Sequence, residues 1–338
     1  MKLFEKFTIK NMTLRNRIVM PPMCMYSAAD DGQANDFHLT HYASRAVGGV
    51  GLIIVEATGI KPIGRISDND LGLWEDEQIP GLKKIVDACH RYGSKTALQI
   101  NHAGRKSQSA SGHPVAPSAL TFSDKYRTPA ELTRPEINEI IDAFKQAASR
   151  ADAAGFDALE IHAAHGYLLH EFLSPLTNKR TDEYGGSLKN RTRFLEQVLQ
   201  QVHTVWPADK PVWIRVSASD YDSVGIDAAM MVEIINDVRS LIDMVHVSSG
   251  GLLPTPVNSY PGYQAPLADA IRRKCHIPVI AVGLLTNPEI AEALLQTERA
   301  DLTAFGRELL RHPYFAIQAA QKYGVVGYIP KQYERAYD

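Results

Sequence analysis

Asp157-Ala158-Leu159-Glu160-Ile161, followed directly by His162-Ala163-Ala164-His165-Gly166-Tyr167-Leu168, is the stretch on which the fold turns. A short apolar run gives way at once to two imidazoles and a phenol, so reactive side chains stand where a buried strand becomes a loop. In a (β/α)8 barrel the carboxyl ends of the strands converge on one open face. A His-x-x-His-x-Tyr cluster leaving a strand is placed there to grip a substrate.

Seven more short apolar and β-branched runs recur along the chain: Arg17 to Met20, Gly51 to Glu56, Lys95 to Ile100, Val212 to Val216, Met244 to Val247, Val279 to Val282 and Leu302 to Ala304. Ala158 to Ile161 is the fourth in order. Several are continuously apolar, the pattern of strands covered on both faces. Between them lie amphipathic segments such as Arg134 to Ala154, with Ile137, Ile140, Ile141, Phe144, Ala147 and Ala148 at helical spacing. This alternation predicts parallel strands joined by helices. Eight units predict an α/β chain closed as a single (β/α)8 TIM barrel over residues 1–338. An open doubly wound sheet competes, but no Gly-x-Gly-x-x-Gly follows the first strand. One connection is long: Asn101 to Thr133, rich in Ser, Gly, Pro and Lys, predicts an extended lid or binding loop at about 101–133.

Apolar residues make up 45% of the chain and charged residues 22%, with a formal charge of −2. No whole-chain field therefore favours nucleic acid or an anionic membrane as partner. The three cysteines, Cys24, Cys89 and Cys275, are odd in number and widely spaced, unlike a disulfide framework or a zinc ribbon, and point to a reducing compartment. Met1-Lys2-Leu3-Phe4-Glu5-Lys6-Phe7 carries an acid and no long apolar stretch. Neither signal peptide nor membrane span is expected, and the protein reads as cytoplasmic.

His162 and His165 admit a shared metal ion, but a strand-to-loop position lacks the helical His-x-x-x-His frame, so no metal is expected. As paired donors they suit a carbonyl or phenolate oxygen on which charge develops, with Tyr167 supplying a proton. Two buried structural histidines are the plain alternative. Glycine turns follow three consecutive strands: Ser248-Ser249-Gly250-Gly251, Gly283-Leu284-Leu285-Thr286 and Gly306-Arg307-Glu308. Such loops, with a helix N-terminus, form the common barrel phosphate site, where glycine admits backbone amides and arginine adds a fork of donors. Gln99 and Arg215 fall inside strands three and five, where apolar residues are normal, so their polar ends are expected at the catalytic face. Arg215 needs an acceptor: an internal salt bridge to Glu56 or Glu160, or the N1–O2 edge of a flavin, which gathers negative charge on reduction. Cys24, in Pro21-Pro22-Met23-Cys24-Met25-Tyr26, leaves strand one at the same mouth.

Taken together these segments resemble the old yellow enzyme family, and most closely its Bacillus-type, thermophilic-like branch of NADPH dehydrogenases. The likeness spans nearly the whole chain. It is carried by Leu14-Arg15-Asn16-Arg17-Ile18-Val19-Met20, Pro22-Met23-Cys24-Met25-Tyr26, Gln99-Ile100-Asn101-His102-Ala103-Gly104-Arg105-Lys106, Glu160 to Leu168, Arg180-Thr181-Asp182-Glu183-Tyr184-Gly185-Gly186-Ser187, Arg215-Val216-Ser217-Ala218 and Gly306-Arg307.

The resemblance implies a tightly bound FMN across the barrel mouth, with Pro21, Pro22, Met23, Cys24, Ala57, Gln99 and Arg215 around its ring. Gly283, Gly306 and Arg307, with the Ser249-Gly250-Gly251 turn, would hold its phosphate end. By the same likeness His162 and His165 bind the substrate's activating oxygen, Tyr167 is the proton donor, Tyr26 and Lys106 flank the substrate, and Cys24 tunes the flavin. NADPH would reduce the flavin and leave. The same cavity would then admit an enone, enal, maleimide or nitroalkene, giving ping-pong kinetics. The tail at about 328–338 resembles one whose arginine, here Arg335, reaches a neighbouring subunit's active site, so a homo-oligomer is implied. Two positions depart from the family pattern: the tail ends Ala336-Tyr337-Asp338 where Gly-Trp is usual, and Pro21 replaces a Ser or Ala, deleting a backbone donor. Competing readings are an FMN barrel acting on a nucleobase, a phosphate-binding lyase or aldolase, and a non-catalytic binding barrel. The absence of a basic stripe disfavours an RNA substrate, and no strand core carries a lysine for a Schiff base.

Overall fold

A computed structural model of the chain describes residues 1–337. Eight parallel strands close into a barrel, each hydrogen-bonded to its neighbours in chain order. They are β1 (Ile18–Met20), β2 (Leu52–Gly59), β3 (Lys95–Asn101), β4 (Ala158–Ala163), β5 (Val212–Ser217), β6 (Met244–Ser248), β7 (Val279–Ala281) and β8 (Leu302–Ala304). All eight sequence-predicted runs are strands, and the fold is the (β/α)8 barrel that their alternation implies. β2 and β4 run past their predicted ends: β2 continues to Gly59 through a register shift between Val55 and Thr58, and β4 takes in His162 and Ala163. A bulge there re-aims Glu56 and Ala57 beside the mouth.

Ten α-helices occur among the described residues: α1 (Asp36–Val47), α2 (Ile79–Arg91), α3 (Arg134–Ala153), α4 (Leu168–Leu173), α5 (Leu188–His203), α6 (Ala228–Asp237), α7 (Ala265–Cys275), α8 (Pro288–Gln296), α9 (Arg307–Arg311) and α10 (Phe315–Lys322). The boundary of α3 shows how sequence sets an element. Thr133 and Glu136 cap each other's backbone amides, Pro135 follows in the first turn, and the apolar stripe from Ile137 to Ala151 is buried.

Two apolar layers result. The larger lies between strands and helices; the smaller fills the barrel with Leu52, Ile54, Ala97, Trp213, Met244 and Ile280, joined by Ile9, Met12 and Leu14 of an N-terminal hairpin. Each buried Leu or Ile contributes about 1.5–3 kcal/mol, so this plug stabilises the barrel and leaves the carboxyl ends of the strands for polar groups.

The long connection after β3 is folded rather than structureless. Val115–Ala116 pairs with Ala130–Glu131, and Arg127 ties the loop through the carbonyls of Ser109 at 2.7 Å and Gly112 at 2.8 Å. At the other end of the chain, Lys331–Ala336 forms an exposed 3-10 turn, and Asp338 lies outside the described residues. Among the described residues no helix is long and apolar enough to cross a membrane.

Candidate active site at the barrel mouth

β4 delivers His162 to the mouth. His165 (φ 58°) and Gly166 (φ 72°) are then both left-handed, which reverses the chain and sets Tyr167 at the N-cap of α4. The turn is tied to its neighbours: the His165 N–H donates to Ser217 Oγ at 2.9 Å, and that hydroxyl donates to the Gly250 carbonyl at 2.8 Å. Ring centroids of His162 and His165 are 5.1 Å apart, and those of His162 and Tyr167 are 4.9 Å apart, so the three groups form one cluster.

The Ala164 N–H donates to His162 Nδ1 at 3.2 Å, which assigns the proton of a neutral ring to Nε2. That Nε2 faces His165 Nδ1 at 3.4 Å, while His165 Nε2 faces Ser248 Oγ at 2.8 Å. A directed chain therefore runs from His162 through His165 to Ser248. Burial, with Arg215 adding, pushes both imidazoles well below their ordinary value of 6.5, so they act as neutral donors. Burial likewise holds the Tyr167 phenol well above 10, in its protonated form.

Lys106 is held against this cluster. Its ammonium donates to the His165 carbonyl at 3.0 Å and the Gly251 carbonyl at 3.1 Å, and it sits over the rings of Phe122 and Tyr167 at 4.5 and 5.2 Å. Burial lowers its pKa to about 8. Cys24 is half-buried beyond β1, and burial, then Asp70 and Glu56, push its thiol well above 9. Tyr26 stands at the rim, 54% exposed, in a left-handed backbone conformation.

Beside the cluster opens a cavity of about 410 Å³. Its walls are Pro21, Pro22 and Met23 from the β1 exit, Arg215 and Ser248, the Gly283 turn, and Gly306 with Arg307 at the start of α9. Gly283 has φ 133°, and a Cβ there would stand 3.1–3.2 Å from Gln264. The lining suits FMN: buried Arg215 Nε has no hydrogen-bond partner, so an uncommitted donor waits at the cavity, and Arg307 supplies a second cation for a phosphate. The Ser249-Gly250-Gly251 turn lies beside this cavity rather than along it. Ser249 donates to Gln264 Oε1 at 2.6 Å, while Gly251 packs on His165, where an added Cβ would be 2.8 Å from Cα. Ala57 is buried in β2, and Gln99 is turned into the barrel, donating to Glu160 at 2.7 Å. Arg335 lines a separate surface groove with Tyr314, Tyr333 and Tyr337.

Two carboxylates that the sequence offered only as salt-bridge partners for Arg215 have other work. Glu56 accepts the Met25 N–H at 2.9 Å and the Tyr42 hydroxyl at 2.7 Å, which anchors the segment bearing Cys24 and Tyr26. Glu160 collects donors from Gln99, Trp213 and His246. An acid inside an apolar strand was the available signal for both. His170 and Asp220 had none: the Gly166 N–H donates to His170 Nδ1 at 2.9 Å, and Asp220 Oδ1, from the loop after β5, lies 2.9 Å from His170 Nε2, backing the turn from α4.

Comparison with known proteins agrees with this geometry. The family model described as NADH:flavin oxidoreductase / NADH oxidase matches residues 2–324. The chain is 58% identical to a NADPH dehydrogenase of Clostridium acetobutylicum over 100% of both chains, and 50% identical to one of Bacillus velezensis over 99% of both. The solved structure of a morphinone reductase superposes with a TM-score of 0.82 at 30% identity, covering 96% of this chain and 90% of that one.

Proposed function

This chain belongs to the NADH:flavin oxidoreductase / NADH oxidase family, and we propose that it is an ene-reductase acting on activated C=C bonds of enals, enones, maleimides and nitroalkenes. It is an oxidoreductase that uses FMN, with NADPH as reductant. The observation that carries the substrate reading is the neutral His162–His165 pair, 5.1 Å between ring centroids, beside the cavity that Arg215 and Arg307 line. When bound, FMN supplies the hydride that goes to the β-carbon of the alkene. The chain's own residues do the rest. His162 Nε2–H, exchanging its contact with His165 Nδ1, and His165 Nε2–H, exchanging its contact with Ser248, donate to the carbonyl or nitro oxygen on which charge develops. Tyr167, protonated and adjacent, gives its proton to the α-carbon. Tyr26 borders the substrate at the rim, and Lys106 keeps His165 in place.

A single mouth serving both half-reactions makes the kinetics ping-pong. The exposed tail carrying Arg335 is the segment offered to a second copy, in which it would approach the neighbouring mouth.

The test is the visible spectrum of the purified protein before and after p-hydroxybenzaldehyde. A yellow protein that develops a long-wavelength charge-transfer band supports a phenolate held against the flavin by the two imidazoles. A yellow protein whose spectrum is unmoved by the phenol, and whose NADPH oxidation is unaffected by any enone, refutes the substrate reading while leaving family membership intact.

A further inference from the structure

Glu160 lies on β4 inside the barrel, fully buried, in register with Gln99 of β3 and Trp213 of β5. Three donors converge on its carboxylate: Gln99 Nε2 at 2.7 Å on Oε1, with Trp213 Nε1 at 2.6 Å and His246 Nδ1 at 2.8 Å on Oε2. Two residues along each strand, His162, Arg215 and His246 are paired in the next layer toward the mouth. An unbalanced charge this deep is too costly to keep, whereas a carboxylate with several donors and a nearby cation stays ionised. Burial pushes its pKa up, but His246, Arg215 and Trp213 together hold it below the usual carboxylate value.

The amide of Gln99 has two ends, and its hydrogen-bond partner decides which one is free. With Nε2 committed to Glu160, Oε1 is left as an acceptor. We propose that Glu160 is the positioning residue for the cofactor's pyrimidine edge: its carboxylate fixes the Gln99 amide so that Oε1 meets the ring N–H of the flavin, and its charge counterbalances Arg215. This inference rests on the flavin reading above.

Replacing Glu160 separates the two effects. In Glu160→Gln the new amide must keep its oxygen toward Trp213 and His246, so its NH2 faces Gln99 and forces that amide to reverse. The negative charge is lost as well. The expected result is a flavin reduction potential more positive than wild type, measured by dye equilibration, together with FMN affinity weakened about tenfold, the factor for one hydrogen bond inverted. Glu160→Asp keeps the charge but shortens the reach, so FMN affinity should fall while the potential stays at the wild-type value. A merely structural role would lower the melting temperature and move neither readout. Wild-type potential and wild-type FMN affinity in folded Glu160→Gln overturn the proposal; should that variant fail to fold, unchanged affinity or a shifted potential in Glu160→Asp does so. A wild-type protein that binds no FMN would instead fail the flavin reading itself, before any variant is compared.

Discussion

Gly166→Ala tests whether the two-residue left-handed turn positions the catalytic groups. A Cβ at Gly166 would stand 2.4 Å from the Gly251 carbonyl oxygen and 2.9 Å from Leu252 Cα, both backbone atoms that cannot rotate away. Ordinary contact begins at 3.4 Å, so the His165–Tyr167 turn and the β6 exit must separate by about 1 Å. A displacement of that size at a catalytic group costs roughly a hundredfold in rate. The left-handed φ adds about 1 kcal/mol of its own. Gly186→Ala supplies the reference, because φ there is 78° but nothing lies within 4 Å of an added Cβ. That variant should lose about 1–2 °C of melting temperature and no activity. NADPH oxidation with cyclohexenone, flavin absorbance and melting temperature are measured on both. Gly166→Ala should retain FMN, lose roughly two orders of magnitude in kcat with the enone, and bind p-hydroxybenzaldehyde more weakly. Wild-type kcat in a folded Gly166→Ala protein would refute the claim that this turn sets catalytic geometry.

Other outcomes follow from the same geometry. Replacing both His162 and His165 with Ala should abolish the phenol-induced band and lower enone turnover while FMN stays bound; a retained band in the spectral titration counts against their role. Arg307→Ala removes a cation from the cavity, and loss of a charge-assisted contact worth about 1.5–3 kcal/mol should weaken FMN retention on dialysis by ten- to a hundredfold. Burial depresses His38 to about 4 and both His41 and His102 to about 3. The unfolded chain takes up these protons near pH 6.5 and the folded one does not, so melting temperature should fall as pH drops from about 6.5 toward 3. Glu56 has the opposite sign: burial raises it to about 7 against an unfolded value near 4.3, so its contribution is full below about 4.3 and lost as pH rises through 7. Glu56→Gln should therefore gain stability relative to wild type at pH 8 compared with pH 5, and parallel melting curves at the two values would contradict the buried-charge account.

The barrel was legible because its strands are short apolar runs that recur with helical segments between them, and the structure places every one of the eight. What periodicity could not show was contact across the barrel. Lys106 was placed beside the substrate by family likeness alone, and no local pattern could show that its partners are carbonyls 59 and 145 residues away. Glu56 and Glu160 were visible as acids in apolar strands, but which donors reach them depends on strand register, and the bulge in β2 has no sequence signature. The connection after β3 was expected as an extended lid or binding loop, but its internal pairing was not legible because two-residue strands are too short for alternation to register, and its order comes from single side chains such as Arg127.

The charge arrangement at the mouth bears on how the reaction ends as well as how it begins. Arg215 and Arg307 line the cavity, and Glu160 beneath it is ionised, whereas His162 and His165 are held neutral by burial and by Arg215. An imidazolium beside a developing enolate would transfer its proton outright or trap the anion as an ion pair. Neutral N–H donors stabilise the same charge without neutralising it and, on the proposed reading, leave protonation at carbon to Tyr167. Arg215 and Arg307 thus place their charge on the cavity wall, while beside the imidazoles the Lys106 ammonium is turned onto the carbonyls of His165 and Gly251. On the proposed reading, neutral enones and maleimides suit the paired imidazole N–H donors, which meet a developing negative charge with dipoles rather than with a cation.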